Sequence, residues 1–284
     1  MDRYYRFANV EIAIHGPDQW MYTQERYLAA FRVEQVLDPY HFTFRIVPEL
    51  TRPTGAPLAV MDGFVVYQQG DCEVRYIGST FGGWSNAHMR TSRMGKQHIV
   101  ELRSDKYEKG ITPKTVLNAV HAEHLIAQEG GFILHASAIR VDDQIVVFTA
   151  PSGTGKSTQA NLWRAYRGAQ IINGDRCAVR CAPDGIWVDG IPFMGSSAYC
   201  ENVTLPLAAV VYLAQAPQTS IRRLKGVQAF SRIWEGVSVN SWNRTDMVGV
   251  MDSVKQVIGN VPVYYLECTP DESAVTALEQ QLRK

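Results

Sequence analysis

The chain has 284 residues, of which 46% are hydrophobic and 20% are charged, a composition typical of a globular protein that buries an apolar core. This length fits one large domain, or a catalytic domain with a smaller partner. The 28 lysine and arginine residues balance 28 aspartate and glutamate residues, so the formal net charge is zero. A neutral chain has no field that gathers a polyanion, and we therefore expect no nucleic acid as its main partner.

Two further features bear on the cellular compartment and on metal binding. The start of the chain lacks the basic residues and apolar stretch of a signal peptide, and the apolar run 205–214 has the length of a buried strand, not of a membrane span. Cys177 and Cys181 form no C-x-x-C pair and are interpreted as small buried thiols. His121 and His124, three apart on a predicted helix, lack a third metal ligand and are interpreted as packed or solvated. We expect a cytoplasmic protein without membrane contact.

Residues 1–103 are rich in β-branched and aromatic residues, with glycine, proline and aspartate between the runs. The run 4–14 is one of several that predict extended structure. A charged stretch that contains glycine, 103–113, is typical of a boundary between domains. The sequence therefore predicts a smaller β-rich N-terminal domain over 1–110 and a second domain over 111–284.

The second domain mixes helices with strands. Thr112 and Pro113 predict the start of a helix that runs to about Glu129. Two strands follow, joined by Asp142-Asp143 in a two-residue turn typical of an antiparallel pair. The predicted strands are 132–141, 144–150, 169–173, 186–188, 207–214 and 261–268, and the later helices are 157–167, 226–235, 244–259 and one that begins at Pro270-Asp271. This pattern predicts an α/β core with a mixed sheet.

Residues 150–158 (APSGTGKST) match a phosphate-binding loop, except that Ala150 stands at the place of the first glycine. Glycines let backbone N–H groups turn toward phosphate oxygens, and the following helix adds the positive end of its dipole. Lys156 supplies a charge to the β- and γ-phosphates, and the Ser157 hydroxyl can bind magnesium. We expect ATP and Mg²⁺ as cofactors, bound by Ser152, Gly153, Thr154, Gly155, Lys156, Ser157 and Thr158.

The segment HASAIRVDDQIVVFTAPSGTGKST (135–158) resembles the catalytic core of the HPr kinase/phosphorylase family, whose P-loop fold is shared with ATP-dependent phosphoenolpyruvate carboxykinase. GAQIINGDRCAV (168–179) is similar to a stretch that carries an acidic pair in the family, but Gly174 replaces the first acid and only Asp175 remains. The resemblance extends to the loop 190–204, which closes over substrate in the family. It implies a mixed-sheet P-loop kinase core, and it allows a homo-oligomer because members of the family assemble.

The residues alone leave the roles of His135 and Asp175 open. His135 shares a strand face with apolar residues, so it is either a packed core histidine or part of the site. Asp175, at the end of a predicted strand, could accept a proton, hold magnesium or form a turn after glycine. The resemblance implies that Asp175 is the general base and that His135 orients it or lends charge beside Lys156. Arg176 is either a phosphate clamp or a solvated side chain.

Together these features predict a kinase that transfers the γ-phosphate of ATP to a hydroxyl, with a serine of a peptide or protein, or a small molecule, as the expected acceptor. Two alternatives stay open. A nucleotide-binding switch or scaffold would hold a partner without phosphotransfer, and the missing first acid at Gly174 fits it. A carboxykinase-like enzyme would need a second metal held by histidine, lysine and aspartate, and we find no such set in the sequence.

Overall fold

The fold is taken from a computed structural model, and the structure describes residues 2–16, 28–78, 83–106, 118–193 and 199–283. The chain divides into two compact units, Met1–Ala122 and Glu123–Lys284. The predicted domain boundary and the Thr112-Pro113 helix start fall in 107–117, outside the described residues. Within the described ranges, no helix combines the length and the hydropathy that a membrane span requires.

In the residues that the structure describes, the first unit contains a mixed nine-stranded sheet with the spatial order β3-β1-β2-β4-β9-β8-β7-β6-β5. Its strands are β1 Asp2–Phe7, β2 Val10–His15, β3 Arg32–Val33, β4 Tyr40–Val47, β5 Ala59–Met61, β6 Phe64–Gln69, β7 Cys72–Ile77, β8 Met89–Met94 and β9 Gln97–Arg103, with short 3-10 helices at Ala29–Phe31 and Gly83–Asn86. The β2–β4 and β4–β9 pairs are parallel. The sequence predicted the β-rich character of this region.

The run 4–14 forms two strands, because the chain reverses at Ala8 and Asn9. Both residues have positive φ, 48° and 61°, as in the two-residue turns that match the twist of antiparallel strands. The hairpin pairs in register from Asp2↔His15 to Phe7↔Val10. Ala8 and Asn9 therefore reverse the chain within this run, although neither residue is glycine.

Charged side chains are buried together in the first unit. Arg75 is fully buried with its Nε 3.0 Å from Glu73 Oε1, and His121 Nδ1 lies 3.2 Å from the same oxygen. Burial lowers the pKa of His121 to about 3, and the charge of Arg75 acts in the same direction. Burial raises the pKa of Glu73, but the contact with His121 and the charge of Arg75 outweigh it and hold that pKa well below its usual range. A neutral imidazole thus packs against an ionised carboxylate.

The second unit combines helices with strands. In chain order its elements are α1 Ala122–Gln128, β10 Gly131–Val141, β11 Gln144–Thr149, α2 Lys156–Arg167, β12 Gln170–Asn173, β13 Arg176–Ala182, β14 Gly185–Gly190, β15 Thr204–Gln215, β16 Ser220–Leu224, α3 Gly226–Trp234, β17 Val237–Ser238, α4 Arg244–Asn260, β18 Val263–Cys268 and α5 Glu272–Leu282. The helix predicted to run through His121 is wrong at that residue, where φ is 52°. The strand β13 was not predicted.

The sheet of this unit is mixed, as the sequence predicted. β10 pairs antiparallel with β13 and β17 along its first half and with β11 and β12 along its second half. The turn between β10 and β11 is the predicted one, with Asp142 at φ 53°. β11 and β15 are parallel neighbours, and so are β15 and β18, whereas β16 runs antiparallel to β18. β11 therefore has an antiparallel neighbour, β10, on one side and a parallel neighbour, β15, on the other.

Helices cover both faces of this sheet. On one face, Trp163 of α2 and Leu278 of α5 pack with the β11 residues Val146 and Phe148. On the other face, α3 and α4 contribute Ile233 and Val254 to a cluster that contains Val147. Alternate residues of β11 thus enter opposite cores, the pattern of a strand buried on both sides. This burial holds the end of β11, and the loop that follows it, on a rigid base.

Capping residues begin the last two helices. The side chain of Asn243 accepts hydrogen bonds from the backbone N–H groups of Thr245 and Asp246 at the start of α4. The side chain of Asp271 accepts one from the N–H of Ser273 at the start of α5. The predicted helix start at Pro270-Asp271 is therefore confirmed, since the aspartate satisfies a backbone donor that the helix leaves unpaired.

Candidate active site

The loop 150–155 joins the buried end of β11 to the first turn of α2, which is the predicted strand–loop–helix arrangement. Gly153 and Gly155 have φ of 79° and 119°, a region that a side chain disfavours. The backbone at Gly155 accepts the first helical hydrogen bond, from the N–H of Gln159 at 2.9 Å. The loop therefore has the backbone curvature that a phosphate cradle needs, and the positive end of α2 points at it.

Lys156 is almost fully buried at 8% exposure. Its Nζ donates hydrogen bonds to the carbonyl oxygens of Ala150 at 2.9 Å and Pro151 at 3.3 Å. Burial lowers the pKa of Lys156, and the negative charge of Asp175 opposes that shift. The ammonium group thus lies within the curve of its own loop and in the field of the carboxylate that follows β12.

His135 and Asp175 are neighbours, although they are 40 positions apart in the chain. Strand β13 pairs with β10 so that Arg176 lies opposite His135, which brings Asp175 beside the histidine. His135 Nε2 lies 3.2 Å from Asp175 Oδ1, and Arg176 Nε lies 3.3 Å from Oδ2. The hydrogen bond from His135 lowers the pKa of Asp175, burial opposes it, and the charges of Arg176 and Lys156 lower it further. The carboxylate is therefore ionised at neutral pH.

Both members of this pair remain accessible. The side chain of His135 is 32% exposed and that of Asp175 is 27% exposed. A histidine that only filled the core would be buried, as Ile133 and Ser137 on the same strand face are. The geometry thus favours the interpretation of His135 as part of the site over that of a core histidine.

Asn173, which the sequence analysis did not single out, holds the turn that carries Asp175. It is fully buried, and its Oδ1 accepts the backbone N–H groups of Asp175 at 3.1 Å and Arg176 at 3.0 Å. Its Nδ2 donates to the carbonyl oxygen of Ile191 at 3.0 Å. An asparagine just before Gly-Asp at a strand end is the local signal for such a turn.

Other hydrogen bonds tie the same turn and His135 to the sheet. Ser137 Oγ donates to the carbonyl oxygen of Gly174 at 3.0 Å. Thr149, the last residue of β11, donates from Oγ1 to the carbonyl oxygen of His135 at 3.1 Å. A Cβ at Gly236 would lie 2.5 Å from that hydroxyl oxygen, so the position requires a glycine. These groups connect the base of the loop to the His135–Asp175 pair.

The loop 190–204, predicted to close over substrate, is described on both sides of 194–198, which lie outside the described residues. Its first part contributes the Ile191 carbonyl to Asn173. Its second part returns to β12, where the N–H of Glu201 donates to the carbonyl oxygen of Ile172 at 2.9 Å. The loop therefore leaves and rejoins the fold beside the turn of Asp175.

The oxygen atoms at the site suit magnesium better than a softer metal. Ser157 offers a hydroxyl on the exposed first turn of α2, and Asp175 offers a carboxylate. In the described part of the chain, no group of three or more His, Cys, Asp or Glu side chains could hold a metal by itself. Magnesium commonly has one or two protein ligands and takes the rest from phosphate and water, so these two residues fit it.

Two of the cavities in the described part of the chain flank the loop. One, of about 390 Å³, is lined by Gly153, Thr154, Gly155, Thr158, Gln159, Leu213, Gln215, Ala216, Cys268, Thr269 and Pro270. The other, of about 410 Å³, is lined by Pro151, Ser152, Gly153, Thr154, Tyr212, Leu213, Ala214, Gln215, Arg232 and Tyr265. Both lie at the carboxyl ends of the parallel strands, where open α/β sheets bind ligands.

The other residues considered as metal ligands have structural partners. His124 Nδ1 lies 2.9 Å from Asp246 Oδ1, and Asn240 donates to the second oxygen of that carboxylate at 3.0 Å. Cys177 is fully buried, and burial raises its pKa to about 12. Burial also raises the pKa of Cys181. These side chains therefore have structural roles within the second unit.

Comparisons with known proteins give little further information. No protein-family model matches the chain, and no curated protein matches it. Among solved structures, the Hpr(Ser) kinase/phosphatase from Coxiella burnetii is similar over 53% of this chain and 97% of its own, with 12% identity and a TM-score of 0.32. A similarity of that size assigns neither a family nor an activity.

Proposed function

We propose that the second unit is an ATP- and magnesium-dependent kinase that transfers the γ-phosphoryl group to an alcohol hydroxyl, with a core of the HPr kinase type. The observation that carries the proposal is the juxtaposition of the loop lysine and a paired carboxylate. The loop that leads to Lys156 continues from β11, which pairs with β10, and β10 carries His135, whose Nε2 lies 3.2 Å from Asp175 Oδ1. A phosphate held by the loop would therefore present its γ-phosphoryl group near an ionised base.

The chain's own residues supply the steps of transfer. Lys156 and the N–H groups of the loop would meet the charge on the migrating phosphoryl group. Ser157 and Asp175 would hold a magnesium ion, which neutralises charge on the phosphates. The acceptor's oxygen forms the new bond to phosphorus as the bond to ADP breaks, and its proton passes to the carboxylate of Asp175. His135 thereby orients the base.

The acceptor proposed is a serine hydroxyl of a peptide or protein, or the hydroxyl of a small molecule. The loop 190–204 begins and ends beside Asp175, so it is positioned to select that acceptor. Arg176 Nε lies 3.3 Å from Asp175 Oδ2, which places the guanidinium beside the carboxylate, where it could also clamp a phosphate. We propose no nucleic acid as substrate.

One observation favours a second candidate function. Gly174 leaves a single carboxylate at the end of β12, where the kinases that the sequence resembles have two. A nucleotide-binding switch needs no general base and would tolerate this loss. The carboxykinase-like alternative ranks below both, because it needs a second metal held by histidine, lysine and aspartate and we find no such set in the sequence.

Transfer of label from γ-labelled ATP to a panel of hydroxyl compounds and serine peptides tests the proposal. A kinase produces phosphorylated acceptor, and Lys156→Ala on the same preparation should abolish that product. A switch that hydrolyses ATP yields ADP and free phosphate alone. Absence of any labelled acceptor across the panel, with nucleotide binding intact, would favour the switch.

A further inference from the structure

We propose that the nucleoside of the bound nucleotide lies in the cavity of about 390 Å³ between the first turn of α2 and the carboxyl ends of β15 and β18. The inference rests on the proposed function, because it requires a nucleotide whose phosphates occupy the loop. It adds the site for the base and ribose, which neither the loop motif nor the His135–Asp175 pair specifies.

The direction in which the nucleotide extends follows from the topology. β11, which leads into the loop, has β10 on one side and β15 on the other. His135 belongs to β10 and contacts Asp175, so the reacting end of the nucleotide faces that side. The nucleoside must then extend toward β15 and β18. Both strands run parallel to β11, so their carboxyl ends, Gln215 and Cys268, lie at the same edge of the sheet as the loop.

The cavity begins where the phosphate chain would end. Thr158 and Gln159, on the first turn of α2, line it, and a phosphate-binding loop holds the α- and β-phosphates at this turn. Its volume lies within the roughly 300–1,000 Å³ of small-molecule sites. Leu213, Ala216 and Pro270 give it apolar walls, as the flat faces of a base and ribose require.

Gln159, which lines this cavity, has one hydrogen-bonding group without a partner among the described residues. The residue is 2% exposed, and its Nε2 donates to Cys268 Sγ at 3.2 Å. Its Oε1 is buried without a hydrogen-bond partner among the described residues. A buried polar atom without a partner is costly, and a ligand that carries an N–H group, as nucleobase edges do, would satisfy it.

Hydrogen bonds connect the rim of the cavity. Gln215 Nε2 donates to the carbonyl oxygen of Thr154 at 3.3 Å, which links the end of β15 to the loop. The N–H of Ala216 donates to the carbonyl oxygen of Cys268 at 3.2 Å, which links the ends of β15 and β18. The phosphate cradle and the cavity therefore form one continuous surface.

The second cavity beside the loop is less suited to a base. Its aromatic residues, Tyr212 and Tyr265, stack on each other with ring centroids 5.7 Å apart. Arg232 lies over the Tyr212 ring at 4.8 Å, and Arg222 lies over the Tyr265 ring at 4.6 Å. With these ring faces covered, the cavity offers charge rather than a stacking surface.

Binding of two probes to the wild type and to a cavity-filling variant tests the inference. Magnesium tripolyphosphate occupies only a phosphate cradle, whereas magnesium ADP also needs space for its nucleoside. Ala216→Trp should weaken ADP binding by about tenfold or more, which is about 1.4 kcal/mol, and change tripolyphosphate binding by less than about twofold. Val227→Trp, at a position that is 81% exposed on α3, is the matched control and should leave both affinities unchanged.

Alkylation of Cys268, mapped by mass spectrometry, gives a readout that requires no variant. Magnesium ADP should slow its modification severalfold, and magnesium tripolyphosphate should not. An Ala216→Trp protein that binds ADP as the wild type does, or a Cys268 that ADP leaves unprotected, overturns the inference and leaves the proposed function standing. A wild-type protein that binds neither probe overturns both.

Discussion

Replacement of His135 by alanine tests whether the histidine serves the site or the core. The side chain contacts Asp175 Oδ1 at 3.2 Å and is 32% exposed, so its removal leaves little cavity. A hydrogen bond to a charged group contributes roughly 1.5–3 kcal/mol. If that interaction acts in the transition state, His135→Ala should lower turnover by roughly 10- to 100-fold while nucleotide affinity stays nearly intact. The pKa of Asp175 should rise at the same time, because its main stabilising partner is lost.

The assay combines label transfer from ATP, calorimetric nucleotide binding and thermal melting on one preparation. His135→Gln keeps an N–H donor and should recover part of the lost turnover, which a purely structural role would not explain. His124→Ala is a matched control, since it breaks another histidine–carboxylate pair of the same unit, with Asp246 at 2.9 Å. It should lower the melting temperature without changing turnover per folded molecule. A His135→Ala protein that behaves in the same way would show that His135 is a core residue.

Three further predictions concern the loop, the base and the buried cluster of the first unit. Lys156→Ala should weaken calorimetric binding of magnesium ATP by about 1.5–3 kcal/mol; equal affinity in both proteins would refute the assignment of the loop. Asp175→Asn should slow forward transfer by about 10²–10⁴-fold, and with one carboxylate the wild type should form little pyrophosphate from phosphorylated product and inorganic phosphate. Ready reversal, or an unchanged forward rate, would place the chemistry elsewhere. The pKa of His121 is lower in the folded than in the unfolded protein. The free energy of unfolding should therefore decrease as the pH drops below about 6.5, by about 2 kcal/mol at pH 5. Urea titrations across that range should lose this dependence in His121→Gln.

Local sequence predicted the elements whose signals lie within a few residues. The strand–loop–helix around Lys156 follows from two glycines and a helix start, all adjacent in the chain. The hairpin at Asp142 and the helix start at Asp271 likewise depend on one turn or one cap. The predicted helix does not run through His121. That residue has a positive φ, and its side chain is buried against Glu73, 48 positions earlier in the chain.

Contacts between distant residues could not be predicted in the same way. The sequence indicated Asp175 as the base only by resemblance, and it could not show that the amide of Asn173, which holds the turn, is anchored to the carbonyl of Ile191. Nor could it show that Gly236 approaches Thr149, since this depends on two segments that meet only after the sheet has formed. Each of these contacts depends on strand order, which local patterns do not encode.

The sequence by itself therefore determined the strand–loop–helix around Lys156, the mixed α/β character and the zero formal net charge, because composition, short motifs and turns are local properties. Only the tertiary structure decided that β13 pairs with β10, and hence that Asp175 stands beside His135 and within the field of Lys156. It also decided that the carboxyl ends of β15 and β18 form a cavity next to the loop. The physical reason is that strand pairing and burial join residues that are remote in the chain. These contacts stabilise the fold only when the whole sheet has assembled.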